Sequence, residues 1–428
     1  MHKVPVPHLT LSGWLERLES QHPTEIDLGL DRVLTVAEAL GVLRGAPKTV
    51  TVAGTNGKGS VVALLTAGLK AMGQVVGTYA SPHLLRFNER ISIDEVEAED
   101  AEIGAAFEHI EAARGDVSLT YFESATLAAL WLFRQRKVDV QVLEVGLGGR
   151  LDAVNILDAD VSVITSIGLD HIDWLGPDRA SISREKAGIA RQNRPCIVAE
   201  SDPPDALLAA LNDRGAETLL INRDWHIDDR RLQTSGGRNV PLPAASGLLP
   251  SNIGAAIQAL EVAECGNLSE AVLAQMAGVQ LLGRLSQRMI NGVEYVFDVA
   301  HNTESVNALV RHLAETAGFG ATRAVFAVMG DKPIHDMISA CDGVFDEWNV
   351  VDLPQVPRAQ SAAELVAAIG QDRIGDTGPF EHVWDALKGR SSVGDRVVIF
   401  GSFLLVGDAF SIINSSTEAG SELSWIRY

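Results

Sequence analysis

The chain has 428 residues, 46% of them hydrophobic, and its 35 basic and 56 acidic side chains give a formal net charge of -21. The length fits two domains rather than one, and the acidic balance argues against nucleic acid or an anionic membrane as partner, because both bind basic surfaces. Three scattered cysteines fit reduced thiols, and no apolar run has the length of a signal peptide or membrane span, so a cytoplasmic protein is expected.

Short apolar strands alternate with helical stretches through the first two-thirds of the chain. The predicted strands are residues 49–53, 75–79, 140–145, 161–167 and 195–199. This alternation indicates an α/β fold with a mostly parallel sheet covered by helices on both faces. Short alternating segments between residues 219 and 240 predict a small antiparallel addition.

A second series of strands follows a helical region at residues 251–277. These predicted strands are residues 294–297, 323–328, 347–351 and 396–400. They indicate a smaller, Rossmann-like α/β domain. We expect an ATP-binding P-loop domain at residues 1–283 and the second domain at 284–428, with the linker near 281–291. No segment signals oligomerisation, so a monomer is expected.

A glycine-rich turn follows the strand at 49–53. Its sequence is Gly54-Thr55-Asn56-Gly57-Lys58-Gly59-Ser60. The backbone N–H groups of such a turn, the next helix N-terminus and a lysine bind nucleotide phosphates, and a serine hydroxyl can coordinate Mg²⁺. The common P-loop has no glycine between the lysine and the hydroxyl residue, and it is longer. An ordinary strand-to-helix turn is the alternative, but the completeness of the motif favours a nucleotide site.

Two polar residues follow predicted strands at the edge where parallel sheets bind ligands. Glu144 lies at the end of one strand and offers a carboxylate to Mg²⁺, although a capping charge would give the same pattern. His171 follows the next strand. Its spacing alone favours a packed histidine bonded to a loop carbonyl, because Mg²⁺ prefers oxygen ligands.

Several motifs in chain order carry a family resemblance. They are Ile26-Asp27-Leu28-Gly29-Leu30, the glycine-rich turn, Ser81-Pro82-His83, residues 143–153, Leu169-Asp170-His171, residues 184–188 and residues 297–302. Together they resemble the folylpolyglutamate synthase family of the Mur ligase superfamily, whose ATP-dependent enzymes join an amino acid to a carboxylate. The resemblance runs from about Trp14 to about Asp408, and the first motif resembles the bifunctional branch that is also a dihydrofolate synthase.

The resemblance implies binding residues for ATP and for two Mg²⁺ ions. The residues implied for ATP are the turn at 54–60, Asn252 at the adenine edge, Arg284 and Asp298. The residues implied for the metals are Ser60, Ser81, Glu144 and His171.

Three residues are implied in catalysis, namely Lys58, Lys186 and His301. In the family the lysine that matches Lys186 is carbamylated by CO₂, which would place an anion where two Mg²⁺ ions need balancing charge. Its polar context alone would indicate a solvated or salt-bridged lysine.

A dihydropteroate site is also implied by the resemblance. Its residues are Asp27, Leu28, Gly29, Phe122, Glu123, Leu151, Asp152 and Ala153. Phe122 can stack on a flat bicyclic ring, and a carboxylate can pair with the amino-amide edge of a pterin. Each residue taken alone fits a structural role, whereas the whole set in order favours the acceptor site.

The implied activity is addition of L-glutamate to dihydropteroate and to folate glutamates, at the expense of ATP and through an acyl phosphate. A folylpolyglutamate synthase without dihydrofolate synthase activity is the main alternative, and the segment at 26–30 discriminates between them. A non-catalytic nucleotide-binding regulator would not need Glu144, His171 and Lys186 together. A cell-wall Mur ligase would need a further domain before the turn, where only about fifty residues are found.

Overall fold

The computed structural model describes residues 9–24, 26–43, 46–245, 247–316 and 320–416. The chain forms two compact units, Met1–Val279 and Gln280–Tyr428. None of the helices within the described ranges combines the length and apolar character of a transmembrane span.

An eight-stranded sheet forms the centre of the first unit. Its strands are β1 (Lys48–Ala53), β2 (Val76–Tyr79), β3 (Ile91–Ile93), β4 (Val96–Glu97), β5 (Val140–Glu144), β6 (Val161–Ile164), β7 (Pro195–Val198) and β8 (Glu217–Leu220). Their order across the sheet is β4-β3-β2-β5-β1-β6-β7-β8. The pairings from β2 to β8 are parallel, and β3 and β4 add an antiparallel edge. All residues of β2, β5 and β6 are buried, which explains why most of them are apolar.

Helices surround this sheet. They are α1 (Leu11–Gln21), α2 (Asp31–Leu40), α3 (Lys58–Ala71), α4 (Asp100–Arg114), α5 (Tyr121–Arg136), α6 (Ile172–Leu175), α7 (Arg179–Lys186), α8 (Asp205–Asp213), α9 (Pro250–Ala263) and α10 (Glu270–Ala277). Helix α3 packs against α9 through Gly68, where a Cβ would lie 2.4 Å from Leu260 Cδ1. The helical region predicted at 251–277 is therefore two helices, α9 and α10.

A separate three-stranded antiparallel sheet follows β8. Its strands are β9 (His226–Asp228), β10 (Arg231–Gln233) and β11 (Asn239–Pro241). The antiparallel addition predicted at 219–240 is confirmed.

The second unit contains a six-stranded sheet flanked by helices. Its strands are β12 (Ser286–Ile290), β13 (Val293–Asp298), β14 (Thr322–Phe326), β15 (Glu347–Val351), β16 (Ile374–Gly378) and β17 (Arg396–Phe400), in the order β12-β13-β17-β14-β15-β16. Its helices are α11 (Thr303–Glu315), α12 (Ile334–Ala340), α13 (Ala362–Ile369), α14 (Phe380–Arg390) and α15 (Phe403–Ser416). Only β12 runs antiparallel to its neighbour among these strands, and Phe326, Trp348 and Phe400 form the centre of one core. The predicted α/β fold, with its parallel-dominated sheet and separate C-terminal unit, is confirmed.

Candidate active site

The glycine-rich turn joins β1 to α3 at the carboxyl edge of the first sheet. Gly57 has a φ of +85°, a conformation that favours glycine. A Cβ at this position would lie 2.5 Å from Nδ2 of Asn252, which α9 brings against the turn. Lys58 and Ser60 belong to the first turn of α3. The structure therefore brings Asn252, as well as the sequence-adjacent residues, to the predicted nucleotide site.

The segment after β6 holds the turn in place. Thr165 Oγ1 donates to the carbonyl oxygen of Asn56 at 2.6 Å, and Ser166 Oγ accepts from the Asn56 N–H at 2.9 Å. A Cβ on Gly54 would lie 1.8 Å from Thr165 Oγ1. Thr165 and Ser166 belong to none of the sequence motifs. The signal that marks them is their position at the end of a predicted strand, and β6 is the neighbour of β1 in the sheet.

Two lysines meet at one carbonyl oxygen of the turn. Lys58 Nζ donates to the Gly54 carbonyl at 3.0 Å and to that of Thr55 at 3.2 Å, and Lys186 Nζ donates to the Gly54 carbonyl at 2.9 Å. Lys186 is only 4% exposed. Burial and, secondarily, the charge of Lys58 lower the pKa of Lys186 to about 7. Of the solvated or salt-bridged lysine that its polar context indicated, the solvated form is therefore wrong, because the side chain is buried.

Oxygen atoms of a kind that could coordinate a metal lie beside the start of α3. Glu144 ends β5, is 5% exposed, and accepts from the Ser81 backbone N–H through Oε2 at 3.3 Å. A Cβ on Gly59 would lie 3.7 Å from the same Oε2, and Ser60 is the next residue. The carboxylate and the nearby serines form a set of hard oxygen donors of the kind that Mg²⁺ prefers.

His171 lies in the segment after β6, just before α6. Its φ is +51°, and its backbone N–H donates to Oδ1 of Asp170 at 2.9 Å. Its Nε2 lies 4.0 Å from Oδ2 of Asp170, and its side chain is 38% exposed. The ring is therefore partly exposed beside a carboxylate, which differs from the packed position that spacing alone favoured.

A guanidinium joins two of the segments implied in dihydropteroate binding. Arg32 Nη1 lies 2.8 Å from Oδ2 of Asp27, and Arg32 Nη2 lies 3.2 Å from Oε1 of Glu123. The same Nη2 donates to the Asp27 carbonyl at 2.7 Å. Arg32 is the second residue of α2 and carries no motif of its own, so the sequence alone does not mark it as a site residue. Leu28 and Gly29 are half-buried in the segment before it.

Phe122 is the second residue of α5, and its ring packs against the start of the loop after β5. Its ring centroid is 5.9 Å from that of Tyr79, and a Cβ on Gly146 would lie 2.6 Å from a ring carbon of Phe122. Gly146 thus leaves room for the aromatic ring. The structure places Phe122, Tyr79 and the start of the residue 146–153 loop together.

Asp152 organises that loop. Its Oδ2 accepts from the Leu147 N–H at 2.8 Å, and its Oδ1 accepts from the Val154 N–H at 3.0 Å. Burial raises the pKa of Asp152 to about 6 even though these hydrogen bonds oppose the shift. Leu151 is half-buried and Ala153 is buried beside it.

In the second unit, Asp298 ends β13 and is buried. Its Oδ2 accepts from the Leu285 N–H at 2.9 Å and its Oδ1 from the Ala300 N–H at 2.8 Å. Burial raises the pKa of Asp298, and the positive charge of Arg284 opposes the shift. These bonds hold the segments on either side of the Asp298 carboxylate.

His301 and Arg284 have defined orientations in the same unit. His301 Nδ1 lies 2.8 Å from the Val299 carbonyl oxygen, which only accepts, so Nδ1 carries a proton. The Arg284 guanidinium carbon lies 5.5 Å from the ring centroid of Phe403. Asn302 caps α11, whose first residue is Thr303.

Known proteins resemble this chain along almost its whole length. The Mur ligase middle domain matches residues 52–239, and the Mur ligase, glutamate ligase domain matches residues 283–403. The dihydrofolate synthase/folylpolyglutamate synthase of Escherichia coli is 40% identical over 98% of this chain and 99% of its own length.

Solved structures agree with this relationship. That of E. coli FolC in complex with DHPP and ADP has a TM-score of 0.90 at 40% identity, covering 96% of this chain and 99% of the other. A bifunctional folylpolyglutamate synthase/dihydrofolate synthase with Mn, AMPPNP and L-glutamate bound has a TM-score of 0.89 at 40% identity, covering 96% and 100%. This chain belongs to the dihydrofolate synthase/folylpolyglutamate synthase family of Mur ligases.

Proposed function

We propose that this chain is an ATP-dependent amide ligase that adds L-glutamate to dihydropteroate, making dihydrofolate, and to folate glutamates, making folylpolyglutamates. The observation that carries the proposal is the turn at 54–60, where Lys58 and Lys186 meet at the Gly54 carbonyl and Gly59 faces the carboxylate of Glu144. Relatives that carry both activities in their name support the choice of substrates.

ATP binds at the turn. The backbone N–H groups and the N-terminus of α3 attract the phosphates, and Lys58 adds a mobile positive charge. Asn252, which lies against Gly57, is assigned to the nucleotide as well. From the second unit, the proposal assigns Arg284 and Asp298 to ATP and His301 to catalysis.

Magnesium fits the oxygen donors beside α3. The proposed ligands of two ions are Ser60, Ser81, Glu144 and His171. Magnesium bound there would neutralise the negative charge of the phosphates. The position of Glu144 Oε2, 3.3 Å from the Ser81 N–H and facing Gly59, supports this assignment.

The reaction proceeds in two substitutions. A carboxylate oxygen of the acceptor attacks the γ-phosphorus of ATP, and the bond to the β–γ bridging oxygen breaks, giving an acyl phosphate and ADP. Lys58 stabilises the charge that moves to ADP. The amine of L-glutamate then attacks the acyl carbon, inorganic phosphate leaves, and the nitrogen loses a proton to give the amide. The chain supplies positioning and charge and no covalent nucleophile.

Lys186 is proposed to be carbamylated. A neutral amine adds to CO₂ and releases a proton to give a carbamate anion, whereas an ammonium does not react. With a pKa of about 7, about half of the Lys186 amine is neutral at neutral pH. The modification would replace the positive charge beside the Gly54 carbonyl with a negative one.

The dihydropteroate ring is proposed to stack on Phe122. Asp27 and Glu123 lie on either side of Arg32 and offer carboxylates near the same ring. Leu28, Gly29, Leu151 and Ala153 form its apolar surroundings, and Asp152 shapes the loop through its two backbone hydrogen bonds. Stacking of Phe122 on a flat ring contributes more to the binding free energy than the buried apolar area alone.

A product assay tests the function. The purified chain is incubated with MgATP and L-glutamate and, in separate reactions, with dihydropteroate or tetrahydrofolate, and products are identified by mass spectrometry alongside ADP release. One added glutamyl group on each acceptor is expected, with no ADP release above background when glutamate or acceptor is omitted. A product from tetrahydrofolate alone would contradict the dihydrofolate synthase activity, and ADP release without any glutamylated product would contradict the ligase.

A further inference from the structure

Arg32 forms the link between two segments that come from distant parts of the chain. Asp27 precedes α2, and Glu123 lies in the first turn of α5. The guanidinium reaches the Asp27 carboxylate at 2.8 Å, the Asp27 carbonyl at 2.7 Å and the Glu123 carboxylate at 3.2 Å. One side chain therefore fixes where the 27–29 segment lies relative to the helix turn that carries Phe122.

We propose that Arg32 is a positioning residue for the pterin acceptor. It holds the two segments at the separation that the ring of dihydropteroate needs, and it acts through Asp27 and Glu123 without bonding the reacting atoms. The inference rests on the proposed function, because these carboxylates concern the acceptor only if this is the pterin site.

The charges explain why an arginine is needed. The Glu123 side chain is 4% exposed, and a buried carboxylate requires a cation or several hydrogen bonds. One Glu123 oxygen accepts from the Thr120 N–H at 2.7 Å, and the other faces Arg32. Arginine presents a planar fork that can bond two acceptors at once, whereas a lysine is a single point charge.

The segment at 27–29 has no helix or strand of its own, and the Asp27 carboxylate contacts Arg32 at 2.8 Å and His22 Nε2 at the longer distance of 3.5 Å. Helix α5 has an independent cap, since Thr120 Oγ1 accepts from the Glu123 N–H at 3.1 Å. Removal of Arg32 would therefore loosen the segment before α2, because the longer His22 contact does not reach Glu123, and would leave α5 formed. The turn at 54–60 has separate supports in Thr165 and Ser166, so ATP binding would be retained.

Arg32→Gln and Arg32→Lys are the test variants, and Arg17→Gln is the matched control. Arg17 makes a comparable ion pair between α1 and α4, with Nη2 2.6 Å from Oε1 of Glu111. In Arg32→Gln we expect the KM for dihydropteroate to rise about tenfold or more, as for loss of charge-assisted bonds. The kcat at saturating acceptor and the KM for ATP should stay within about twofold. Arg32→Lys should restore part of the KM, and Arg17→Gln should leave it unchanged.

A double-mutant cycle with Asp27→Asn identifies the route of the effect. If Arg32 acts through Asp27, the KM of Arg32→Gln combined with Asp27→Asn should stay within about twofold of the worse single variant, whereas independent effects would multiply. Multiplied effects, or a KM for ATP that rises as much as that for dihydropteroate, would overturn the inference. An unchanged KM for dihydropteroate in Arg32→Gln would overturn this inference but not the proposed function. A wild-type chain that is inactive on dihydropteroate would overturn both.

Discussion

Replacement of Gly57 by alanine should weaken both the fold and the binding of MgATP. A left-handed backbone costs a residue with a Cβ roughly 1–2 kcal/mol, and Gly57 has a φ of +85°. The new Cβ would also lie 2.5 Å from Nδ2 and 2.7 Å from Oδ1 of Asn252. Because Asn252 is buried on α9, relief of this overlap requires movement of the turn or of the helix, at a further cost of about 1–3 kcal/mol.

Gly73→Ala separates the two contributions. Gly73 has a φ of +86°, and a Cβ there would have no heavy atom within 4 Å, apart from its own neighbours. In both variants the cost of a left-handed backbone should lower the free energy of unfolding, measured by urea denaturation. In Gly57→Ala the overlap with Asn252 should lower it further. Calorimetric titration should show MgATP affinity reduced about tenfold or more in Gly57→Ala and unchanged in Gly73→Ala. Equal unfolding free energies with equal MgATP affinities would refute the role assigned to the contact with Asn252.

Three further predictions concern single side chains. Lys58→Ala should abolish glutamylation of both acceptors, because the phosphates lose a cation. The circular dichroism spectrum and melting temperature should stay near those of the wild type, because the core loses no side chain. Near-normal turnover would contradict the role of Lys58 at the phosphates. Between pH 7 and about 10, the unfolding free energy of the wild type should rise relative to that of Lys186→Met. The folded chain releases the Lys186 proton near pH 7, whereas the unfolded chain keeps it to about 10.5, so higher pH favours folding. Parallel pH profiles in buffers free of CO₂ and bicarbonate, where no carbamate forms, would show that the amine is not buried. Phe122→Ala should lower kcat/KM for dihydropteroate about tenfold to a hundredfold and affect extension of folate glutamates far less; equal losses would show that one ring pocket serves both acceptors.

The elements that the sequence predicted best are two strands that are buried along most of their length and rich in apolar residues. Strands β15 and β17 have the predicted bounds, 347–351 and 396–400, because each contains buried apolar residues that mark it in the sequence, although β15 also carries Glu347 and Asn349. Strand β16 was missed. It reads Ile374-Gly375-Asp376-Thr377-Gly378, and its pairing to β15 at one side of the sheet leaves it partly exposed, so its sequence shows no apolar run.

In the candidate site, residues marked by a local sequence pattern could be predicted, whereas contacts between distant parts of the chain could not. The turn at 54–60 could be predicted because it is a short local motif. The carboxylate of Glu144 could be predicted because it lies at the end of an apolar strand. The bond from Thr165 to Asn56 joins residues 109 positions apart, and that from Lys186 to Gly54 spans 132 positions. Such contacts depend on the order of strands in the sheet, which local periodicity does not encode. Arg32 was missed for the same reason.

The buried amine of Lys186 has a consequence for chemical labelling. Surface lysines stay protonated at neutral pH, while an amine with a pKa of about 7 is partly a free nucleophile. A nucleotide analogue that carries a sulfonyl fluoride near its phosphates would therefore sulfonylate Lys186 in preference to exposed lysines. A carbamate on the same nitrogen would block that reaction. The rate of labelling, measured with and without bicarbonate, would then report the fraction of molecules that carry the carbamate.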